Sequence, residues 1–273
     1  MKRTIATITA LLLLLGLLAG CGVKPPEPPT AASLLREMSE NLTAARSCTA
    51  AVQGFVDFRQ ESDGSAAELR LDADLTADVL REPRLAMHLD GSAGFAILGM
   101  DMDLPLEMYL VDEEESMTLY LRVLDSWVKQ SVPMPETSSD GEKSVKGMSA
   151  LAELAVLQEA TEQIRDTETY RIDMTVTGDM LLSAIKGAGQ GSGSVPLDLS
   201  GVKIACTLWL DTETRLPVRQ TVTMDTPIAM DGMSIQRFQI LADYTGFGTV
   251  ESIAPPPEAA GAPELENSLG ELL

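Results

Sequence analysis

From Ala67 to Val79 apolar and polar residues alternate without a break. Ala67, Leu69, Leu71, Ala73, Leu75, Ala77 and Val79 share one parity, and Glu68, Arg70, Asp72, Asp74, Thr76 and Asp78 share the other. Successive side chains of a strand point to opposite faces, so this segment predicts a strand with one apolar and one acidic side. The same period recurs in Val52, Val56 and Phe58, in Leu85, Met87 and Leu89, in Met100, Met102, Leu104, Leu106, Met108 and Leu110, and in Leu119, Leu121 and Val123. It resumes in Ile172, Met174 and Val176, in Val202, Ile204, Cys206, Leu208 and Leu210, in Leu216, Val218, Val222 and Met224, and in Phe238, Ile240, Ala242 and Tyr244. Repetition at hairpin spacing predicts one large, mostly antiparallel sheet with one face in water.

Three segments carry a helical period instead. Leu34, Leu35, Met38 and Leu42 form one apolar stripe and predict a helix over about 30–45. Ser144 can cap a second helix over about 145–164, with Met148, Leu151, Ala152, Ala155 and Ile164 on its inner side, and a short third helix follows at 180–186. The Gly- and Ser-rich run 187–194 reads as a flexible loop; it lacks both a Gly-Lys-Ser/Thr ending and a dinucleotide fingerprint. The Pro-rich, acidic residues 255–273 read as a disordered tail.

At the other end, Met1-Lys2-Arg3 precedes an apolar run over 5–18 and the small residues Ala19 and Gly20 before Cys21. A charged start, a short apolar stretch and a small-residue cleavage site make a secretory signal, too short for a typical membrane span. Leu18-Ala19-Gly20-Cys21 resembles a bacterial lipobox. That resemblance implies lipidation of the Cys21 sulfur, cleavage before it, and a chain held at the extracytoplasmic face of a cell membrane by its lipid. The Pro-rich segment 23–29 then serves as a stiff spacer. The expected organisation is a signal peptide over 1–20, lipidated Cys and linker over 21–30, one domain over 31–254, and the tail over 255–273.

Charge narrows the partners. With 20 basic and 41 acidic residues the chain carries a net charge of −21, which repels phosphate backbones and anionic lipid headgroups and excludes nucleic acid as a partner. Hydrophobic residues reach 45% although aromatics are only 4%, enough for a folded core. His88, the only histidine, falls on the polar parity, so a histidine triad or multi-histidine metal site has no second member, and a surface position is expected. The acidic run Asp112, Glu113, Glu114 and Glu115 lacks the Gly-spaced loop of a calcium site and reads as a solvated hairpin turn. Cys48 and Cys206 fall on the apolar parity and either pair as a disulfide or stay as two buried thiols. No set of nucleophile, base and oxyanion donor assembles, and nothing calls for a metal or cofactor: the chain reads as non-catalytic.

Two segments carry a family likeness. The stretch from Leu208 to Val218, with Trp209-Leu210-Asp211-Thr212-Glu213-Thr214-Arg215-Leu216-Pro217 between, resembles a hairpin common in the LolA/LolB and LppX/LprG lipoproteins, and 242–250 is similar to their last strand. The closest look is to small lipoproteins of Firmicutes-like bacteria. The resemblance implies an α+β fold in which a large curved antiparallel sheet, an open half-barrel, covers two or three α-helices, with an acyl chain or lipoprotein bound between them.

About ten strands with apolar inner sides present more surface than two or three short helices fill, so a cavity is expected. Met87, Met100, Met102, Leu104, Met108, Met174 and Met224 lie on the inner parity and are its expected lining; soft, unbranched methionines suit an acyl chain and equally suit plugging gaps in a solid core. The expected function is therefore a membrane-anchored binder or carrier of lipid or another hydrophobic ligand. The alternative is a solid-cored surface interaction or sensor lipoprotein that meets a protein partner. Oligomeric state is not readable from the sequence.

Overall fold

The computed structural model describes residues 28–62, 65–97, 100–113, 116–123, 125–133, 153–180, 199, 201–230 and 233–264. The signal segment, Cys21, most of the spacer and the loop at 187–194 lie outside the described residues. The chain divides into two compact units, Met1–Thr30 and Ala31–Leu273, and the second holds the fold.

That unit begins with α1 (Ala31–Ala45). Six strands follow: β1 (Ser47–Ser62), β2 (Ser65–Leu80), β3 (Ala86–Ile97), β4 (Met100–Asp112), β5 (Ser116–Val123) and β6 (Ser126–Pro133). Seven more come after the next described gap: β7 (Val156–Leu157), β8 (Glu162–Ile164), β9 (Thr167–Thr177), β10 (Lys203–Asp211), β11 (Pro217–Met224), β12 (Ile228–Met230) and β13 (Met233–Phe247). A one-turn helix, α2 (Pro257–Ala260), closes the described chain. All thirteen strands join one sheet in the order β6-β5-β4-β3-β2-β1-β13-β11-β10-β9-β7, with β12 on β13 and β8 on β9. The path does not return on itself, so the sheet is open.

The register turns the period of two into two faces. Cys48, Val52, Val56 and Phe58 stand opposite Val79, Leu75, Leu71 and Leu69, and Leu71, Leu75 and Val79 in turn stand opposite Phe95, Gly91 and Met87. On the other side of β1, Val52 and Val56 meet Ala242 and Phe238 of β13. One apolar face thus runs across the sheet, and the acidic residues stand on the other. Gly91 belongs to that register for a local reason: its φ of 156° and a Cβ that would lie 2.1 Å from the Asp74 carbonyl oxygen leave room for glycine alone.

The stripe of α1 buries against this face. Ala31, Leu34 and Leu35 pack with Ile172, Leu208 and Leu210, and Leu34, Ile172 and Leu210 are fully buried. A second cluster of Leu199, Val202, Met224 and Ile228 lies against Ile204, Ile235 and Phe238. The helix ends where Arg46 adopts φ 62° and its N–H returns to the Thr43 carbonyl at 3.3 Å. A left-handed residue after the last helical position satisfies a terminal carbonyl and turns the chain into β1.

Three expectations need correction. The fold is mostly β: among the described residues helix is confined to α1, α2 and helical turns at 153–154 and 178–180. The helix expected over 145–164 does not reach Ile164, because β7 and β8 pair with β9 and satisfy its outer hydrogen bonds, with Arg165 at φ 54° turning the β8–β9 hairpin; 145–152 and 181–186 lie outside the described residues. Residues 255–264 are packed where a disordered tail is expected. Ala259 and Ala262 are buried, and the Lys129 N–H donates to the Pro263 carbonyl at 3.0 Å. Small side chains let this Pro-rich segment sit close to β6, and 265–273 lie outside the described residues.

Candidate functional site: an apolar cavity beneath the first helix

Between α1 and the apolar face is a cavity of about 440 Å³. The helix supplies Leu35, Met38, Ser39 and Leu42 as its roof. The floor comes from four strands in sheet order: Met174 of β9, Leu208 of β10, Pro217 and Gln220 of β11, and Tyr244 of β13, with Arg81 just beyond the end of β2. Its size falls within the roughly 300–1,000 Å³ of small-molecule pockets, and an apolar wall with a few placed polar groups is the usual composition of such sites.

The polar groups form a connected line. The Tyr244 hydroxyl donates to Gln220 Oε1 at 3.2 Å, and Gln220 Nε2 donates to Cys206 Sγ at 3.6 Å. Burial pushes the Tyr244 hydroxyl above its ordinary pKa, with nearby Cys48 adding to the rise and Arg81 opposing it. Burial likewise raises the thiols of Cys48 and Cys206; Arg81 opposes the first rise and the Gln220 hydrogen bond the second. Both thiols are therefore weak nucleophiles at neutral pH. They are free and half-buried. Strands β13 and β11 stand between β1 and β10, and three steps of about 4.8 Å exceed the roughly 7 Å Cα limit for a disulfide. The pairing of Cys48 with Cys206 is excluded by sheet order.

Of the expected lining residues the structure brings Met174 alone to the cavity wall. Met224 is fully buried in the second core cluster. Met87 and Met108 lie half-buried on the same face, opposite Leu110 and Leu89 respectively. Met100, Met102 and Leu104 are exposed, at 61%, 53% and 38%. The roof residues Leu35, Met38 and Leu42 were visible as a helical stripe; their role as cavity wall depends on where α1 lands, which no local pattern states.

The outer face holds a second polar assembly. Register aligns Thr49, Asp78, His88, Tyr109, Tyr120 and Lys129 across β1 to β6. His88 stacks on Tyr109 with ring centroids 4.3 Å apart, and lies 4.0 Å from Asp78 and 3.9 Å from Glu107. It is half-buried on the polar face, within a packed cluster. The hydroxyls of Tyr109 and Tyr120 donate to Glu107 and Glu113, and burial followed by these bonds pushes both up to about 12. Glu113 also accepts from Thr118 at 2.9 Å, so Asp112 ends β4 and the next carboxylate is built into the sheet, while Glu114 and Glu115 lie outside the described residues. Among the described residues no group of three or more His, Cys, Asp or Glu could hold a metal ion, and no helix is long and apolar enough to cross a membrane.

An open antiparallel sheet with a helix-roofed apolar cavity is thus the class of protein that fold and site define. The chain belongs to a family of unknown function, DUF6612, whose model matches residues 30–263. It is similar to the solved structure of the lipoprotein LppX from Mycobacterium tuberculosis, at 16% identity and a TM-score of 0.39 over 82% of this chain and 98% of that one. LprF from Mycobacterium bovis is similar at 15% identity and a TM-score of 0.42, over 83% and 96%. A DUF1329 family protein from Desulfovibrio piger matches at 10% identity and a TM-score of 0.25, over 82% and 93%. Comparison with curated proteins finds no match.

Proposed function

We propose that this protein is a lipid-anchored, extracytoplasmic and non-catalytic binder or carrier of an apolar ligand, seated between α1 and the sheet. The observation that carries the reading is the cavity itself: Leu35, Met38 and Leu42 face Met174 and Leu208 across about 440 Å³ in a region where neighbouring core side chains are fully buried. Burial of acyl chain against these residues contributes about 0.8 kcal/mol per methylene, so affinity tracks chain length. Flexible thioethers at Met38 and Met174 adapt to a chain without fixed shape. Anchorage through Cys21, with the spacer over 23–29, keeps the cavity near the membrane from which such a ligand comes.

Filling the space tests this reading. Met174→Trp and Leu42→Trp place an indole in the cavity, and each is expected to reduce uptake of a fluorescent acyl chain at least about tenfold. Thermal melting should show that both variants stay folded. Unchanged uptake in folded variants contradicts the proposal.

A further inference from the structure

Among the described residues Arg81 is the one charged group in the cavity wall, and no described carboxylate lines it. Its backbone is fixed: as β2 ends, the Arg81 N–H donates to the Arg46 carbonyl at 2.8 Å, which ties it to the C-terminal end of α1. Nine other described arginines each pair with a carboxylate. Arg81 has no ion pair among the described residues, in a chain with twice as many acidic as basic residues. The acidic parity of β2 points to the opposite face of the sheet.

From this we infer that the cavity takes a single-chain amphiphile with an anionic head, a carboxylate or phosphate, held by Arg81 while the chain runs inward along Met38, Leu42 and Met174. This rests on the carrier reading and adds its head group. An arginine fork matches both oxyanions in geometry, and such a bond is stronger than one between neutral groups. The Tyr244 and Gln220 side chains lie in the same wall and offer neutral hydrogen-bonding groups behind the charge. A volume near the low end for ligand pockets accommodates one chain, not several.

The full chain, in its membrane, is exposed to photoactivatable hexadecanoic acid, hexadecyl phosphate or hexadecanol with the reactive group on the chain, and adducts are located by peptide mass spectrometry. The acid or the phosphate should label the cavity wall about tenfold more than the alcohol, and comparison of the two identifies the head. Arg81→Gln should erase that preference, so that acid, phosphate and alcohol label alike, and Arg81→Lys should keep most of it. Equal labelling by acid, phosphate and alcohol overturns the role of Arg81 and leaves the carrier reading standing. No labelling of the wall by any of the three overturns both.

Discussion

Two stretches of the same apolar face have opposite fates. Beneath α1, Leu34, Ile172 and Leu210 are fully buried, whereas on β4 Met100, Met102 and Leu104 are 61%, 53% and 38% exposed. Both stretches follow the same alternation, and both point their apolar side chains to the same side of the sheet. The difference is cover. A period of two states which face a side chain takes and says nothing of what lies over it. Among the described residues α1 is the one long helix, and its Leu34 and Leu35 pack on Ile172 of β9 and Leu208 and Leu210 of β10, so that stretch is covered.

The largest expected effect breaks this contrast outright. Leu210→Asp places an uncompensated carboxylate at a fully buried position and should cost more than about 4 kcal/mol, enough to unfold a marginal domain, while Met102→Asp should stay within about 0.5 kcal/mol of the parent chain; urea denaturation of both variants measures the pair. A middling effect belongs to the polar face. Arg219 donates to Asp243 at 2.6 and 2.7 Å and holds its carboxyl below the usual range, against the opposing effect of partial burial. Because the folded pKa is depressed, this stabilisation is present above the unfolded value and is lost as pH falls through the folded one. Asp243→Asn should therefore cost about 1–2 kcal/mol near neutrality and almost nothing in strong acid, as denaturation at several pH values would reveal.

Tyr109 and Tyr120 move in the other direction. Their raised folded pKa values, about 12, mean that the contribution is complete below the ordinary tyrosine pKa of 10 and is lost as pH rises from 10 towards 12. Titration of phenolate absorbance should show Tyr109, Tyr120 and Tyr244 ionising late in the folded chain and at the ordinary pH in urea. The smallest effect is expected at the exposed Arg36–Glu40 pair on α1, with side chains 72% and 69% exposed. Glu40→Gln should change thermal stability by less than about 0.5 kcal/mol.

The faces of the sheet, the α1 stripe and the polar position of His88 were legible because each depends on residues close in sequence. What stayed hidden depends on pairing across long separations. Strand β1 lies between its neighbour β2 and the last strand β13, and that placement decides that α1 reaches Met174 and Leu208 and not Met102. It also separates Cys48 from Cys206, which parity alone left free to pair. The helical period over 145–164 misled because β7 and β8, two and three residues long, carry almost no alternation of their own. The segment 255–264 misled because proline and acidic composition signals disorder, while its seat depends on Ala259 and Ala262 being small enough to approach β6. Arg81 was one of 20 basic residues, and only its lack of a described ion pair at the cavity wall singles it out.

The most direct measurement is native mass spectrometry of the full chain purified under native conditions, with solvent extraction of whatever travels with it. The account predicts a bound species carrying one acyl chain, released on unfolding and depleted in Met174→Trp. A chain that carries no bound lipid, even after incubation with a membrane lipid extract, would contradict it.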